Sequence, residues 1–123
     1  MGEELSKLPP QVQERLLRYQ QLQQTLQSVL SQKQQVEVEL TEIEQALSEL
    51  QKTQEDTIIY KAIGTLLVKT EKTKIVADLS ERKELLNTRA TVLGKQEERL
   101  RTQFKDLQSK LQQDFGQVSP SPP

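Results

Sequence analysis

An apolar repeat with alternating steps of three and four residues constrains this chain more than any other feature. It passes through Val12, Arg15, Tyr19, Leu22, Leu26, Val29, Lys33, Val36, Leu40, Ile43, Leu47 and Leu50, and ten of these twelve positions are apolar or aromatic. A 3.5-residue spacing held for so long draws one narrow apolar seam along a helix, which is the signature of a coiled coil. Such a helix is roughly 60 Å long at 1.5 Å per residue. Pro9-Pro10 marks its start, because proline fits a first turn where its missing N–H is not needed. A disordered Gln-rich tract is the competing reading, and it would not keep this period.

The pattern breaks after Leu50. Gln51 to Thr57 is polar, and Ile58-Ile59-Tyr60-Lys61-Ala62-Ile63 is rich in β-branched and aromatic residues. Gly64-Thr65 separates this run from Leu66-Leu67-Val68-Lys69-Thr70. Two β-prone runs around Gly-X predict a hairpin with a two-residue type II′ turn, since glycine supplies the positive φ. A continuous helix with an embedded glycine is the alternative, and the Ile/Val content and the lost period argue against it. A second repeat then runs through Val76, Leu79, Lys83, Leu86, Ala90, Leu93, Glu97, Leu100, Phe104, Leu107 and Leu111, with Asp114 and Val118 continuing the spacing. Gly94 sits beside this seam as a tolerated surface glycine, and Gly116 is a plausible helix stop.

Folding back at Gly64-Thr65 pairs residues whose numbers total 129 or 130. Leu50 then meets Leu79, Ile43 meets Leu86, Val36 meets Leu93, Leu26 meets Phe104 and Tyr19 meets Leu111. The polar interruptions of the first seam find mates of opposite sign: Lys33 falls opposite Glu97, and Arg15 opposite Asp114. Charges inside a seam are costly unless paired, so the register gains support; ordinary solvated flanking charges are the other reading. Lys83, opposite Leu47, finds no mate, and its long side chain is expected to snorkel to water.

The expected fold class is thus mostly α: a long antiparallel two-helix coiled coil joined by one β-hairpin. Its segments are a flexible N-terminal tip (1–8), helix one (9–54), the hairpin (57–70), helix two (73–115) and a loose Ser/Pro tail (116–123). Strand alternation places Ile59, Ile63, Leu66 and Val68 on one face of the hairpin, and Ile58, Tyr60, Ala62 and Leu67 on the other. A lone hairpin with two apolar faces and two free edges is marginal in water. Pairing with hairpins of other subunits into a shared sheet or closed barrel resolves this, so Ile58, Ile59, Tyr60, Ile63, Gly64, Leu66, Leu67 and Val68 are the expected oligomerisation element. The helices then project as arms. At their free ends Leu5, Leu8, Val12, Leu16 and Leu17 crowd one helix, and Leu111, Phe115 and Val118 the other. These can grip apolar segments of other proteins, or they can be a hydrophobic staple and coil-end packing.

Composition narrows the function classes. Only 33% of residues are hydrophobic, and the aromatics are Tyr19, Tyr60, Phe104 and Phe115, too few for a bulky globular core. Without His or Cys, the usual general base, thiol nucleophile and common metal ligands are missing, and no phosphate-loop motif is present. An enzyme is therefore not expected, nor any cofactor or metal. Net charge is −1. Helix two leans basic by only nine to seven from Lys74 to Phe115, too little for a nucleic-acid-binding face. The first ten residues lack the apolar core of a signal peptide, and no run is long enough to span a bilayer, so no membrane partner is expected. A soluble, cytoplasmic protein is the expectation, and the absence of Cys agrees with a reducing compartment. A structural tether explains the heptads but leaves the apolar hairpin unexplained.

Several stretches together are similar to the β-type subunits of the prefoldin family. They are Pro9-Pro10-Gln11-Val12-Gln13, Tyr19-Gln20-Gln21-Leu22-Gln23, Tyr60-Lys61-Ala62-Ile63-Gly64 with Leu66-Leu67-Val68-Lys69, and Gln96-Glu97-Glu98-Arg99-Leu100. The Tyr-Lys-x-Ile-Gly hairpin signal is the most discriminating of them. The resemblance implies a hetero-hexamer of two α-type and four β-type subunits, with a double β-barrel platform and six coiled-coil tentacles. A single hairpin between the helices fits the β-type. It also implies a co-chaperone whose tentacle tips hold unfolded proteins and pass them to a group II chaperonin without nucleotide. Carried over to this chain, tip duty falls on Leu5, Leu8, Val12, Leu16, Leu111 and Phe115. The Ser-Pro tail departs from the more charged ends of the family.

Overall fold

A computed structural model describes residues 7–118, with side chains up to Gly116. Helix α1 (Pro10–Gln51) is followed by strands β1 (Ile59–Ile63) and β2 (Leu66–Thr70), which form a two-stranded antiparallel sheet, and then by helix α2 (Lys72–Val118). The architecture is the expected one, two long helices with one β-hairpin between them. The expectations for Leu5 and for the Ser/Pro tail after Val118 lie outside the described residues.

Local chemistry sets where each element begins and ends. The Pro9 carbonyl accepts from the N–H groups of Val12 (2.9 Å) and Gln13 (3.1 Å), so Pro10 occupies the first helical position. Helix α1 stops at Gln51, three residues short of the expected end. There Lys52 and Thr53 donate to carbonyls only three residues back, those of Glu49 and Leu50, and the Thr53 hydroxyl also takes the Leu50 carbonyl at 2.6 Å. These three-residue bonds close the helix in a tighter last turn before residue 54. Lys72 Nζ then donates to the Thr53 carbonyl at 2.8 Å and ties the start of α2 to the loop after α1. Gly116 does not stop α2. Among the described residues only Gly64 has a positive φ, so Gly116 keeps helical geometry and the helix continues to Val118.

The described chain divides into two compact units. In the unit Lys33–Val92, which holds the hairpin, Val36, Ile43, Ile75 and Leu86 are buried. Ile75, not the expected Val76, is the buried residue at the start of the α2 seam. Adjacent β-branched residues satisfy the period almost equally well, and the pattern alone could not choose between them. Opposite charges flank this seam: Arg82 Nε lies 2.9 Å from Glu39 Oε1, with a second bond from Nη2 to Oε2 at 3.2 Å. Hydrogen bonding to Glu39, and then its charge, raises the Arg82 guanidinium above its ordinary range. Lys83 is not unmatched as expected, since its Nζ lies 3.9 Å from Glu44 Oε1. A flexible four-carbon stem lets a seam lysine reach a flanking carboxylate while its head stays wet.

The other unit contains the described residues before Lys33 and after Val92, where the two helices again lie side by side. Val12, Leu22, Leu107 and Leu111 form its buried cluster, with Leu8, Leu16, Tyr19, Leu100 and Phe104 packed against it. Tyr19 stacks on Phe104 with ring centroids 4.5 Å apart and 30° between planes. The register paired Phe104 with Leu26 and Tyr19 with Leu111. Rings this long lean across a layer, and the stack adds to what burial alone provides.

Candidate functional surfaces

The hairpin's register follows from its turn. Ile59 pairs with Thr70, Tyr60 with Lys69, Lys61 with Val68, Ala62 with Leu67 and Ile63 with Leu66, which leaves Gly64-Thr65 as a two-residue loop. Gly64 has φ +58°, and Thr65 does not have a positive φ. One positive φ at the first turn position fits type II′ and excludes I′, which needs two. Cross-strand pairs share a face, so Ile59, Lys61, Ile63, Leu66 and Val68 lie together, and Tyr60, Ala62 and Leu67 lie opposite.

Both faces stand open. Leu67 is 72% exposed, Leu66 66%, Tyr60 60% and Ile58 58%, with Ile63 and Val68 also exposed and Ile59 half-buried. Six large apolar side chains within eleven residues form a dense patch, whereas exposed Val38, Leu85 and Val92 elsewhere in the same unit are scattered. With only two strands in the sheet, each strand also keeps one unpaired edge.

The ends of the helices divide differently from the expectation. Val12 is 5% exposed and Leu111 6%, so both belong to the core, and Leu8 and Leu16 are half-buried against it. Of the expected tip residues with described side chains, only Phe115 is exposed, and Leu17 is exposed beside it in this respect. Val12 and Leu111 sit in one buried cluster with Leu22 and Leu107, and Leu8, Leu16 and Tyr19 pack against it. Leu17 points away because it lies on the face opposite the seam.

Among the register residues, Arg15 and Asp114 meet as predicted. Arg15 Nη1 donates to both carboxylate oxygens of Asp114, at 2.7 and 2.6 Å, with side chains 26% and 15% exposed. Lys33 and Glu97 are each half-buried and belong to different units; within its own unit Glu97 accepts a 2.8 Å bond from Arg101 Nε. The Glu39–Arg82 pair was missed by the sequence reading. Its signal was available, as opposite charges on positions flanking the two seams. Among the described residues no acidic cluster could hold a metal, and no helix is long and apolar enough to cross a membrane.

A helical hairpin with an open strand pair at its turn defines a class of assembling coiled-coil subunits, and comparison with known proteins places the chain within it. The sequence profile of the prefoldin subunit family matches residues 13–118, and the chain belongs to that family. It is 48% identical over 108 residues to prefoldin subunit beta of Archaeoglobus fulgidus, covering 88% of this chain and 93% of that one. It is 42% identical over 114 residues to prefoldin subunit beta of Methanothrix thermoacetophila, covering 93% and 95%. The crystal structure of the prefoldin beta subunit from Thermococcus strain KS-1 superposes with a TM-score of 0.79 at 42% identity, over 95% of this chain and 98% of that one. Family membership makes the chain a co-chaperone subunit of the prefoldin type, one that assembles with other prefoldin subunits.

Proposed function

We propose that the chain works within a hetero-hexamer, two α-type subunits with four copies of this chain, as an ATP-independent carrier that holds unfolded proteins and delivers them to a group II chaperonin in the cytoplasm. The observation that carries this reading is the open hairpin, with Ile58, Tyr60, Ile63, Leu66, Leu67 and Val68 exposed over both faces. Such a patch with two free edges invites association, and closure of several hairpins into a barrel removes edges and exposure together. Several pairs of helices on one platform then act on one client. Each contact is weak, but linkage raises the effective concentration of the others. Weak multivalent holding suits a carrier that must release its cargo, and it needs neither catalysis nor a nucleotide.

Client contact is assigned to the free ends of the helices. Leu17 and Phe115 are available outright, Leu8 and Leu16 in part, and Val12 and Leu111 only where the end of the coil opens; Leu5 joins them by position in the sequence. The test is Leu17→Ser with Phe115→Ser in the assembled protein. Suppression of aggregation of a denatured substrate, without nucleotide, should fall at least several-fold while oligomer mass and helical content stay unchanged. Undiminished suppression in an intact oligomer would move client binding elsewhere. A tether without chaperone activity would assemble and suppress nothing.

A further inference from the structure

From Tyr19 to Gln32, α1 carries no charged residue over fourteen consecutive positions, in a chain that is 28% charged. At that content such a stretch would ordinarily hold several charges. Its outward positions, opposite the seam, include Gln20, Gln21, Gln24, Gln27 and Ser28, all exposed, and the exposed Leu17 ends the same face. In the same unit α2 has the opposite character, with exposed Lys95, Glu98, Arg99, Lys105 and Asp106 facing outward.

Helix formation does not require this difference. Gln, Glu and Lys have nearly the same helix propensity, and charged pairs four apart would add stability and solubility that Gln cannot. The glutamine amides face solvent, and no hydrogen bond within the described residues engages the side chains of Gln20, Gln21, Gln24 or Gln27. Each offers amide N–H donors and a carbonyl acceptor, which can pair with the one N–H and one C=O of a peptide unit.

We infer that this outer face of α1 is a charge-blind contact surface for the extended backbone of an unfolded client. The inference rests on the co-chaperone reading and adds where, and by what chemistry, the held chain lies. A charged face attracts some clients and repels others, and electrostatics of that kind confers specificity. A neutral amide face meets what every unfolded chain has in common. Spacing permits it, since Gln20 and Gln27 are about 10 Å apart along the helix, the reach of about three residues of extended chain. Leu17 gives this face one exposed apolar anchor at its start, so a chain held there can run along α1.

The experiment places charge on this face of the assembled protein. One variant carries Gln20→Glu, Gln24→Glu and Gln27→Glu, and a second carries Lys at the same positions. A control adds the same negative charge to the outer face of α2 through Thr102→Glu, Ser109→Glu and Gln112→Glu. The clients are reduced α-lactalbumin, which is acidic, and reduced lysozyme, which is basic. With the Glu variant, the amount of oligomer needed for half-suppression of aggregation should rise about threefold for the acidic client and fall for the basic one. The Lys variant should reverse both shifts, high salt should erase them, and the α2 control should show neither. Unchanged protection of both clients overturns the inference, as does an equal bias from the control, which would mark a long-range field. A changed oligomer mass also overturns it, because the face would then lie between copies of the chain. If the Leu17/Phe115 variant loses protection while the charge variants behave as the parent, the co-chaperone reading stands without this surface. A parent protein that protects neither client sinks both.

Discussion

Arginine can occupy an apolar seam at position 15 because Asp114 accepts both of its short hydrogen bonds across the helices. The pair is mostly but not fully shielded, so solvent screening reduces what it contributes. Asp114→Asn should therefore cost about 1–2 kcal/mol, well below the loss for a fully buried pair. Exchanging the two residues, Arg15→Asp with Asp114→Arg, should recover part of it, and a double-mutant cycle by urea unfolding should give a coupling of ~0.5 kcal/mol or more. Additive single effects would mean that the pair contributes nothing by being a pair. A second contrast concerns the helix ends. Val12→Ser removes buried methyls and buries a hydroxyl, and should cost about 1–3 kcal/mol. Phe115→Ser, at an exposed position, should stay within about 1 kcal/mol. Comparable losses at both sites would show that Phe115 is packed in solution. The sequence made Arg15–Asp114 legible because a turn position fixes the register. It could not reveal that Val12 and Leu111 are covered, since a seam position near a helix end reads the same whether its neighbours Leu8, Leu16 and Tyr19 pack over it or leave it open.

Elements obey their local signals where one conformation has no competitor. Gly64 is such a place: φ +58° at the first position of a two-residue loop admits glycine readily and strains other residues. A Cβ built there meets nothing within 4 Å, so any penalty for Gly64→Ala comes from the backbone and not from a clash. That substitution should destabilise the chain by about 1 kcal/mol, and Gly64→Asn by less, because asparagine tolerates the left-handed region better. Thermal unfolding of both variants checks the order, and an alanine variant as stable as the parent would mean that the turn relaxes into another type. The helix termini were less legible. Gln51 and Lys72 bound the helices at the hairpin, where a threonine hydroxyl and a lysine tether decide, and no periodicity reports on those contacts.

At the scale of the whole molecule, the hairpin tells what it needs before it tells from whom. Two apolar faces and two free edges were readable from strand alternation, and the exposures of Tyr60, Leu66 and Leu67 bear that out. The identity of the covering strands was not readable from one chain's physics, because any complementary edge satisfies the same backbone groups. Family membership points to other prefoldin subunits as the partners, and a substitution can test whether the hairpin is where they meet. Leu66 and Leu67 lie on opposite faces and touch little within the chain, so Leu66→Asp with Leu67→Asp should leave the helices folded. In an assembled sheet the same two carboxylates would be buried without partners, which is costly enough to prevent closure. Sedimentation of the variant mixed with an α-type subunit should show only small species, while circular dichroism retains the parent's helical content. A full-size oligomer would mean that the subunits meet through their helices, and the barrel would have to be abandoned. Loss of helicity along with assembly would mean instead that the helices depend on the platform for their own stability.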